Sequence, residues 1–283
     1  DDDVATVTVT ASGPAAEPAT TGSYTISTTA ILDVALTINF NMSGSASSAP
    51  GTDYNLNSAT FPGPAGTATL PIGSGSNVVV TLTPVNDAIV EASEIATLTL
   101  NAGTQYVPGV PLAGSVVIGD DDSATLTVTP AGSPNETGPV AATFTITTSS
   151  TLDVALTVNF TMSGVVATAI GADYNLGGTA SYVGGTGAGT FILPAGASPS
   201  TVITLTPVDD PRIESNEGAT FTLNAGTQYT LGAPAAGTLT ILDNDNATVS
   251  VVAAGSPAET GPASGTYTVS TTATLEVALT VNF

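Results

Sequence analysis

The sequence contains no cysteine, histidine or tryptophan, and its only basic side chain is Arg212. Without cysteine the fold cannot be held together by disulfide bonds. Without histidine, cysteine or lysine the chain lacks the usual pairing of a nucleophile with a base, so we expect no enzymatic activity. Nucleic acid is excluded as a partner, because phosphate binding depends on clustered lysines and arginines.

Long apolar runs are also missing from the chain. No stretch approaches the roughly 18 consecutive apolar residues of a transmembrane helix, so we expect no membrane insertion. An anionic membrane surface is disfavoured as a partner, because it attracts basic segments. A composition rich in Thr, Ala, Gly and Ser and nearly free of Lys and Arg is more typical of secreted or cell-surface proteins, so we expect an extracellular location.

Acidic residues, in contrast, are abundant. The chain has 23 of them and a formal net charge of −22, which its own side chains cannot neutralise. Neutralisation must therefore come from solvent ions or from specifically bound cations. Because 42% of the residues are hydrophobic and only 8% are charged, the chain has enough apolar material to fold.

The sequence repeats itself with a period of about 120 residues. Triplets of mostly acidic residues end at Asp3, Asp122 and Asp245, which are 119 and 123 residues apart, and an apolar/Thr pattern follows each. The segment Leu-Asp-Val-Ala-Leu-Thr of the first repeat returns in the second and, with Glu for Asp, in the third. We therefore predict the end of a preceding repeat at 1–3, complete repeats at 4–122 and 123–245, and an incomplete third repeat at 246–283.

The third repeat would leave half of its core in water if it stood alone. We expect either that the chain is a window onto a longer polypeptide or that a neighbour supplies the missing strands.

Apolar residues alternate with threonine in most segments of each repeat, as in Val7–Val9 and Leu98–Leu100. Alternation with a period of two marks strands with one buried face, and β-branched residues favour strands. About seven strands are predicted in the first repeat, near 4–10, 23–29, 33–42, 66–70, 77–84, 95–101 and 114–119, and no helix is predicted. Seven short strands per repeat are typical of an antiparallel immunoglobulin-like β-sandwich, and we predict an all-β chain of such sandwiches arranged end to end.

Acidic residues recur at five places in each complete repeat, always at a strand end or in a loop. They are Glu17, Asp53, Asp87, Glu91 and the triplet Asp120, Asp121 and Asp122 in the first repeat, and Glu136, Asp173, the pair Asp209 and Asp210, Glu214, and Asp243 with Asp245 in the second. A sandwich collects its loops at two ends, so these carboxylates can meet at one pole. Adjacent carboxylates repel one another unless a cation lies among them, and so many hard oxygen ligands favour Ca²⁺.

The order Gly-x-Asp-Tyr, Val-(Asn/Asp)-Asp-x-x-x-Glu-x-x-Glu and a closing Asp-x-Asp resembles the Calx-β family. Members of that family are calcium-binding β-sandwiches found in sodium/calcium exchangers, integrin β4 and large bacterial surface proteins. The resemblance covers both complete repeats and the start of the third, and it implies that all the acidic residues named above are Ca²⁺ ligands. Asn86 and Asn244 depart from the pattern by placing an amide where a carboxylate is expected, and Arg212 lies where it can neutralise part of the second set.

Simpler interpretations of the same residues stay open. An Asp in Gly-x-Asp-Tyr can form an Asx turn, and an acidic triplet can be a solvated linker. Glu94 and Glu217 are interpreted as solvated or as indirect contributors to the site. Four tyrosines are interpreted as core or corner residues with their hydroxyls bonded to backbone, namely Tyr54, Tyr106, Tyr174 and Tyr229.

These observations predict a structural protein, a calcium-stiffened repeat segment of a large extracellular fibre, matrix protein or adhesin stalk. Its expected partners are neighbouring repeats of the same polypeptide or further copies in a fibre. One alternative is an adhesin module that binds a surface ligand or glycan, although sugar sites usually present aromatic platforms and the chain has no Trp. A second alternative is a calcium sensor domain.

Overall fold

The computed structural model describes residues 3–49, 51–164, 173–182, 186–261 and 263–283. Unit 1 consists of Asp1–Ser123 with Thr151–Val154, and unit 2 consists of Ala124–Ser150 with Ala155–Phe283. Every regular element in the described ranges is a β-strand, which confirms the predicted all-β class. None of the described residues forms a helix of the length and hydrophobicity needed to cross a bilayer.

The predicted repeat boundaries stay predictions. Asp1 and Asp2 of the first triplet, and Gly171 and Ala172 of the second Gly-x-Asp-Tyr motif, lie outside the described residues.

The strands of unit 1 include all seven that the alternation predicts, together with shorter ones. They are β1 (Ala5–Ser12), β2 (Ala15–Ala16), β3 (Gly22–Thr28), β4 (Ile31–Leu32), β5 (Leu36–Gly44), β6 (Tyr54–Asn57), β7 (Ala65–Leu70), β8 (Gly73–Ser74), β9 (Asn77–Pro84), β10 (Ile89–Val90), β11 (Glu94–Leu100), β12 (Tyr106–Pro108), β13 (Ala113–Gly119) and β16 (Thr151–Leu152). The additional strands have two to four residues, which is too short for a period of two to be recognised.

Unit 2 repeats this series of strands and adds those of the third repeat. They are β14 (Ala124–Ala131), β15 (Ala142–Thr147), β17 (Leu156–Gly164), β18 (Tyr174–Gly177), β19 (Ser181–Tyr182), β20 (Ala188–Leu193), β21 (Gly196–Ala197), β22 (Ser200–Pro207), β23 (Arg212–Ile213), β24 (Glu217–Leu223), β25 (Tyr229–Leu231), β26 (Ala236–Ile241), β27 (Val249–Ala254), β28 (Thr266–Thr271) and β29 (Thr274–Leu275).

Two five-stranded sheets form the sandwich of unit 1, in the orders β12-β1-β3-β9-β6 and β2-β13-β11-β5-β7. Most neighbours are antiparallel, but the edge strands β12 and β2 pair in parallel with β1 and β13. In the β2–β13 pair Ala16 lies opposite Gly119, which brings Glu17 beside the acidic triplet that begins at Asp120. The parallel edge strand therefore positions the first acidic residue of the site.

The core of unit 1 lies between its two sheets. The inward side chains alternate along each strand, as in Val7 and Val9 of β1 and Ile38 and Phe40 of β5, and all are buried. The alternating threonines point outward, so the period of two seen in the sequence is the period of burial.

Unit 2 also has two five-stranded sheets, in the orders β18-β22-β15-β14-β25 and β19-β20-β17-β24-β26. Among the described residues its second sheet has no strand equivalent to β2 beside β26, and β19 pairs with β20 at the opposite edge. Its core is more aromatic, because Phe160 and Phe221 stack with ring centroids 4.5 Å apart and Phe144 stacks on Phe221 at 5.1 Å. The third-repeat strands β27 and β28 form a two-stranded hairpin whose side chains are exposed.

All four tyrosines are core residues as predicted, but the predicted bond between hydroxyl and backbone holds for one of the two pairs. The hydroxyl oxygen of Tyr106 accepts a hydrogen bond from the Asn39 backbone N–H at 2.7 Å. Tyr229 does the same with the Asn159 N–H at 3.0 Å, which confirms backbone anchoring for both tyrosines. The prediction is wrong for Tyr54, whose buried hydroxyl has no partner among the described residues.

Tyr174 also departs from the prediction, because its hydroxyl forms a hydrogen bond with the hydroxyl of Tyr182 at 3.2 Å. Tyr54 and Tyr174 both follow the Asp of the Gly-x-Asp-Tyr motif, and both are buried in the core.

Gly44, at the end of β5, starts the loop that leads to Asp53. Its φ is +130°, and an added Cβ would overlap the carbonyl oxygen of Ile95. Gly164 at the end of β17 has the same conformation, with a φ of +132°, and faces the carbonyl of Gly218. Both positions require glycine, because the backbones approach closely in a region that other residues rarely adopt.

Candidate metal centre

One end of unit 1 brings together acidic residues from three separate loops. The Glu17 N–H donates to the Gly119 carbonyl at 3.0 Å, and the Asp87 N–H donates to Glu17 Oε2 at 3.4 Å. Carboxylate oxygens of Glu17, Asp87 and Asp122 lie within 4.8 Å of one another. Residues that are up to 105 positions apart in the chain therefore form one group, and Glu17 is only 7% exposed.

Asp120 serves as the backbone support of this group. Its Oδ1 accepts from the Asp122 N–H at 3.1 Å and its Oδ2 from the Glu91 N–H at 3.0 Å. These bonds shape the loop and leave the Asp122 side chain facing Glu17 and Asp87. Asp122 Oδ2 is buried and has no hydrogen-bond partner among the described residues.

The Asx-turn interpretation describes two of the acidic residues of unit 1. Asp87 Oδ1 accepts from the Ile89 N–H at 2.7 Å, two residues ahead. Asp120 makes the same kind of bond to the N–H of Asp122. In Gly-x-Asp-Tyr the geometry is different, since Asp53 Oδ2 accepts from the Ser47 N–H, which lies earlier in the chain.

Burial, and after it the neighbouring carboxyl groups, raises the carboxyl pKa values at this end of unit 1. Burial, followed by the charges of Asp53 and Asp87, raises the pKa of Glu91 to about 7. Burial and a side-chain hydrogen bond to Asp53 raise the pKa of Glu94 to about 7. The pKa of Asp122 is also raised, chiefly by burial and then by Asp120. Glu94 is half-buried and bonded to Asp53, so it belongs to this acidic end rather than to the solvated surface.

Unit 2 forms an equivalent group with a different membership. Carboxylate oxygens of Glu136, Asp243 and Asp245 lie within 4.8 Å of one another, and Glu136 is only 4% exposed. Asp243 supports the loop as Asp120 does, accepting from the N–H groups of Asp245 at 3.3 Å and Glu214 at 3.4 Å. Asp245 Oδ2 is buried and lacks a partner within the described part of the chain.

Arg212 explains why the second group differs from the first. Asp210 stands where unit 1 has Asp87, but its Oδ2 is 3.3 Å from Arg212 Nε, and its Oδ1 accepts from the Arg212 N–H at 2.8 Å. The neighbouring Asp209 Oδ1 accepts from Asn244 Nδ2 at 3.1 Å. This pair of carboxylates is thus already compensated in part.

Burial, and after it the neighbouring acidic residues, also raises carboxyl pKa values in unit 2. Burial, then Asp243 and Asp210, raises the pKa of Glu136 to about 7. Burial also raises the pKa values of Glu214 and Glu217 to about 7, aided by Glu276 for Glu214 and by Asp173 for Glu217. Glu217 is half-buried like Glu94, so both second glutamates of Glu-x-x-Glu are closer to the site than the sequence indicates.

The predicted site residues therefore occupy several kinds of position. Two tight groups contain Glu17, Asp87 and Asp122 in unit 1 and Glu136, Asp243 and Asp245 in unit 2. Adjacent to them, by hydrogen bond or by charge, are Glu91, Asp120, Asp209, Asp210 and Glu214. Asp53 and Asp173 lie one step further out, since their charges act on Glu91 and Glu214. Asp121 is exposed and contributes charge to the first group.

The chemistry of both tight groups fits a divalent cation. Each offers three carboxylates and one buried oxygen without a hydrogen-bond partner, and the residues of unit 1 include no basic side chain. An unpaired buried carboxylate oxygen is costly, and a bound cation satisfies it. Donors that are all oxygen suit hard cations such as Ca²⁺.

No protein-family model and no curated protein sequence matches the chain. Among solved structures, calcium binding domain CBD12 of CALX1.1 matches with 14% identity over 76% of this chain and 79% of that one, at a TM-score of 0.32. CBD12 from CALX1.2 matches with 16% identity over 77% of this chain and 80% of that one, also at 0.32. A type II cohesin dyad from Acetivibrio cellulolyticus covers 83% of this chain and 98% of its own, with 9% identity and a TM-score of 0.24. These comparisons assign the chain to no family.

Proposed function

We propose that each complete repeat binds Ca²⁺ at its acidic end. On this proposal the chain is a structural segment of a large extracellular fibre, matrix protein or adhesin stalk. The observation that supports it most directly is the recurrence, in both units, of three carboxylates within 4.8 Å of one another with a buried, unpartnered oxygen among them. Glu17, Asp87 and Asp122 would hold the ion in unit 1, and Glu136, Asp243 and Asp245 would hold it in unit 2.

The bound cation would supply positive charge where three loops end, replacing repulsion by attraction. The loops after β2, β9 and β13 would then be tied together through their side chains. Only Ser123 separates Asp122 from Ala124, the first residue of β14. Restraint of Asp122 would therefore also restrain the segment that joins successive repeats, which is the basis for proposing stiffening.

The size of the expected effect follows from mass action. Extracellular calcium modules have dissociation constants of roughly 10⁻⁴ to 10⁻³ M. A hundredfold excess over such a constant stabilises the binding-competent fold by about 2.7 kcal/mol. The free energy of unfolding of a native domain is roughly 5–15 kcal/mol, so calcium binding would supply a substantial part of it.

Thermal unfolding of the whole chain in 10 mM CaCl₂, in 10 mM MgCl₂ and in EDTA tests the proposal. We expect a melting temperature higher by about 10 °C in calcium than in EDTA, and a smaller gain in magnesium. Calorimetric titration should show at least one ion per complete repeat. Identical melting curves in calcium and EDTA would contradict the proposal that the repeats bind Ca²⁺.

Affinity and shape measurements separate the structural role from the sensor alternative. Binding at roughly 10⁻⁴ to 10⁻³ M, with a calcium-dependent increase in the maximum dimension seen by X-ray scattering, supports a stiffened repeat. Dissociation constants of roughly 10⁻⁷ to 10⁻⁵ M favour a sensor instead.

A further inference from the structure

Two short parallel strand pairs recur at equivalent positions in the two units. Within unit 1, β10 pairs with β16, and Ile89 and Val90 lie opposite Thr151 and Leu152. Within unit 2, β23 pairs with β29, and Arg212 and Ile213 lie opposite Thr274 and Leu275. In sequence terms, the second strand of each pair comes from the repeat that follows the first.

The hydrogen bonds of the two pairs are the same. The Asp153 N–H donates to the Val90 carbonyl at 3.0 Å, and the Glu276 N–H donates to the Ile213 carbonyl at 3.0 Å. The residue after the second strand thus closes each pair, and in both cases it is acidic.

Side chains add to the pairing in a different way in each unit. Val90 and Leu152 are each only 1% exposed, so apolar burial accompanies the first pair. In the second pair Arg212 forms an ion pair with Glu276 while also contacting Asp210.

The first repeat contains the same acceptor strand without such a partner. Ile31–Leu32 of β4 is followed by Asp33 and Val34, as Thr151–Leu152 is followed by Asp153 and Val154. Among the described residues β4 pairs only with β8. Ile31 is 76% exposed and Val34 is 61% exposed, whereas Thr151 and Val154 are half-buried.

A groove of about 490 Å³ runs beside this strand. Its walls include Val4, Ala30, Ile31 and Val34, and its acidic groups are Asp3 and Asp33. The lining is thus apolar along the strand and negatively charged at its end, at Asp33. The residue of the third repeat that is equivalent to Asp33 is Glu276, which forms an ion pair with Arg212.

We propose that the β4 edge of the first repeat is a docking site for a short parallel strand from another repeat of this type, with the sequence Arg-Ile-Glu found at residues 212–214. The isoleucine carbonyl of that strand would accept from the Asp33 N–H, its apolar side chain would cover Leu32 and Ile31, and its arginine would face Asp33. The pairing uses backbone bonds and apolar contacts, so it goes beyond the proposed cation function and does not depend on it.

Amide hydrogen exchange on an extended chain tests this site. A second copy of residues 124–245 is placed before Val4, so that its own last three residues replace Asp1–Asp3. We expect the Asp33 amide to exchange at least about tenfold more slowly than in the 283-residue chain, a change that corresponds to about 1.4 kcal/mol. The Asp153 and Glu276 amides should be protected in both chains and serve as internal references.

Two variants of the added copy provide matched controls. Ile213→Pro removes the strand N–H and the apolar side chain that would cover Leu32 and Ile31, so docking should fail and Asp33 should return to its fast exchange. Arg212→Glu reverses an exposed charge without touching the core, and it should weaken the protection of Asp33 by repulsion. Slow exchange at the Phe221 amide of the added copy shows that each variant is folded.

Equal exchange of Asp33 in the extended and original chains, with a folded added copy, would overturn the docking site. The measurement is repeated in EDTA, where we expect the protection to remain; its loss there would overturn the claim that docking is independent of the cation. Calcium titration of the same samples reports on the proposed cation function separately.

Discussion

The acidic ends of the two units share a backbone frame but differ in several side chains, among them Arg212. Asp120 and Asp243 accept the same pair of backbone hydrogen bonds. Position 89 of unit 1 is Ile, whereas the equivalent position of unit 2 is Arg212, which draws Asp210 into an ion pair. The guanidinium group of Arg212, at the edge of the site, therefore determines which carboxylates have no positively charged partner.

The same fold therefore forms a group of three carboxylates in two different ways. In unit 1 the third carboxylate of the tight group is Asp87, from the loop after β9. In unit 2 it is Asp243, from the loop after β26, because Asp210 is held by Arg212. The two sites are equivalent in charge and position, yet they take their third carboxylate from different loops.

Each tight group contains one glutamate, Glu17 in unit 1 and Glu136 in unit 2, and the largest effect is expected on replacing it. Glu17→Gln and Glu136→Gln should each lower the calcium affinity of their own unit by at least about tenfold, because ligand charge sets affinity. Calorimetric titration measures the loss of one site per variant. Glu259→Gln is the matched control, since Glu259 holds the same sequence position in the third repeat but is exposed; equal losses in all three variants would contradict the assignment.

Exchanging the residues that distinguish the units should exchange their behaviour. We expect Arg212→Ile to raise the calcium affinity of unit 2 by about three- to tenfold, because Asp210 loses its competing cation. Ile89→Arg should lower the affinity of unit 1 by a similar factor. Arg212→Lys retains the charge and should leave the affinity close to that of the unchanged chain. An unchanged affinity in both exchanges would show that Arg212 does not cause the difference.

Acid should stabilise the cation-free chain. The pKa values of Glu91, Glu94, Glu136, Glu214 and Glu217 are raised from the usual 4.5 to about 7, so the folded state binds protons more tightly than the unfolded state. The stabilisation is complete below pH 4.5 and is lost as the pH rises through about 7.

In EDTA we expect the melting temperature to rise by about 2–4 °C or more between pH 8 and pH 5.5. Calcium should reverse this slope, because protons then compete with the ion for the same oxygens. A flat profile in EDTA would mean that the carboxyls do not repel one another as the structure indicates.

The smallest effects are expected at the two asparagines that interrupt the acidic pattern. Asn244→Asp replaces the donor that lies 3.1 Å from Asp209 with another carboxylate, so it should lower the melting temperature in EDTA by about 2–4 °C. In calcium the loss should be recovered, with an affinity about threefold higher. Asn86→Asp should change both quantities less, because Asn86 is exposed and, within the described ranges, its side chain bonds only the adjacent Asp87 carbonyl, at 3.5 Å.

Much of the fold can be predicted from local pattern. Val7, Val9, Ile38 and Phe40 alternate with polar residues, and burial follows the same alternation. The short edge strands could not be predicted, because Ala15–Ala16 is too short to show a period. Yet that strand places Glu17 beside the acidic triplet through its pairing with β13.

The site was predicted as a set of acidic residues but not as a geometry. The recurrence of acidic positions at strand ends predicts the candidate site residues. The sequence leaves open whether Glu94 and Glu217 are solvated or contribute indirectly to the site, since nothing in it indicates that they are half-buried near Asp53 and Asp173. The signal that was available is the second glutamate of Glu-x-x-Glu in the first motif, with Glu217 at the equivalent place in the second unit.

Periodicity alone determines that this chain is all-β and that it is built from repeats, because both properties depend on neighbours along the chain. Composition alone determines that its negative charge must be neutralised by cations from outside. Which three carboxylates meet is decided by tertiary structure. It depends on the register of β2 against β13 and on the direction of the Arg212 side chain, and both involve residues far apart in sequence.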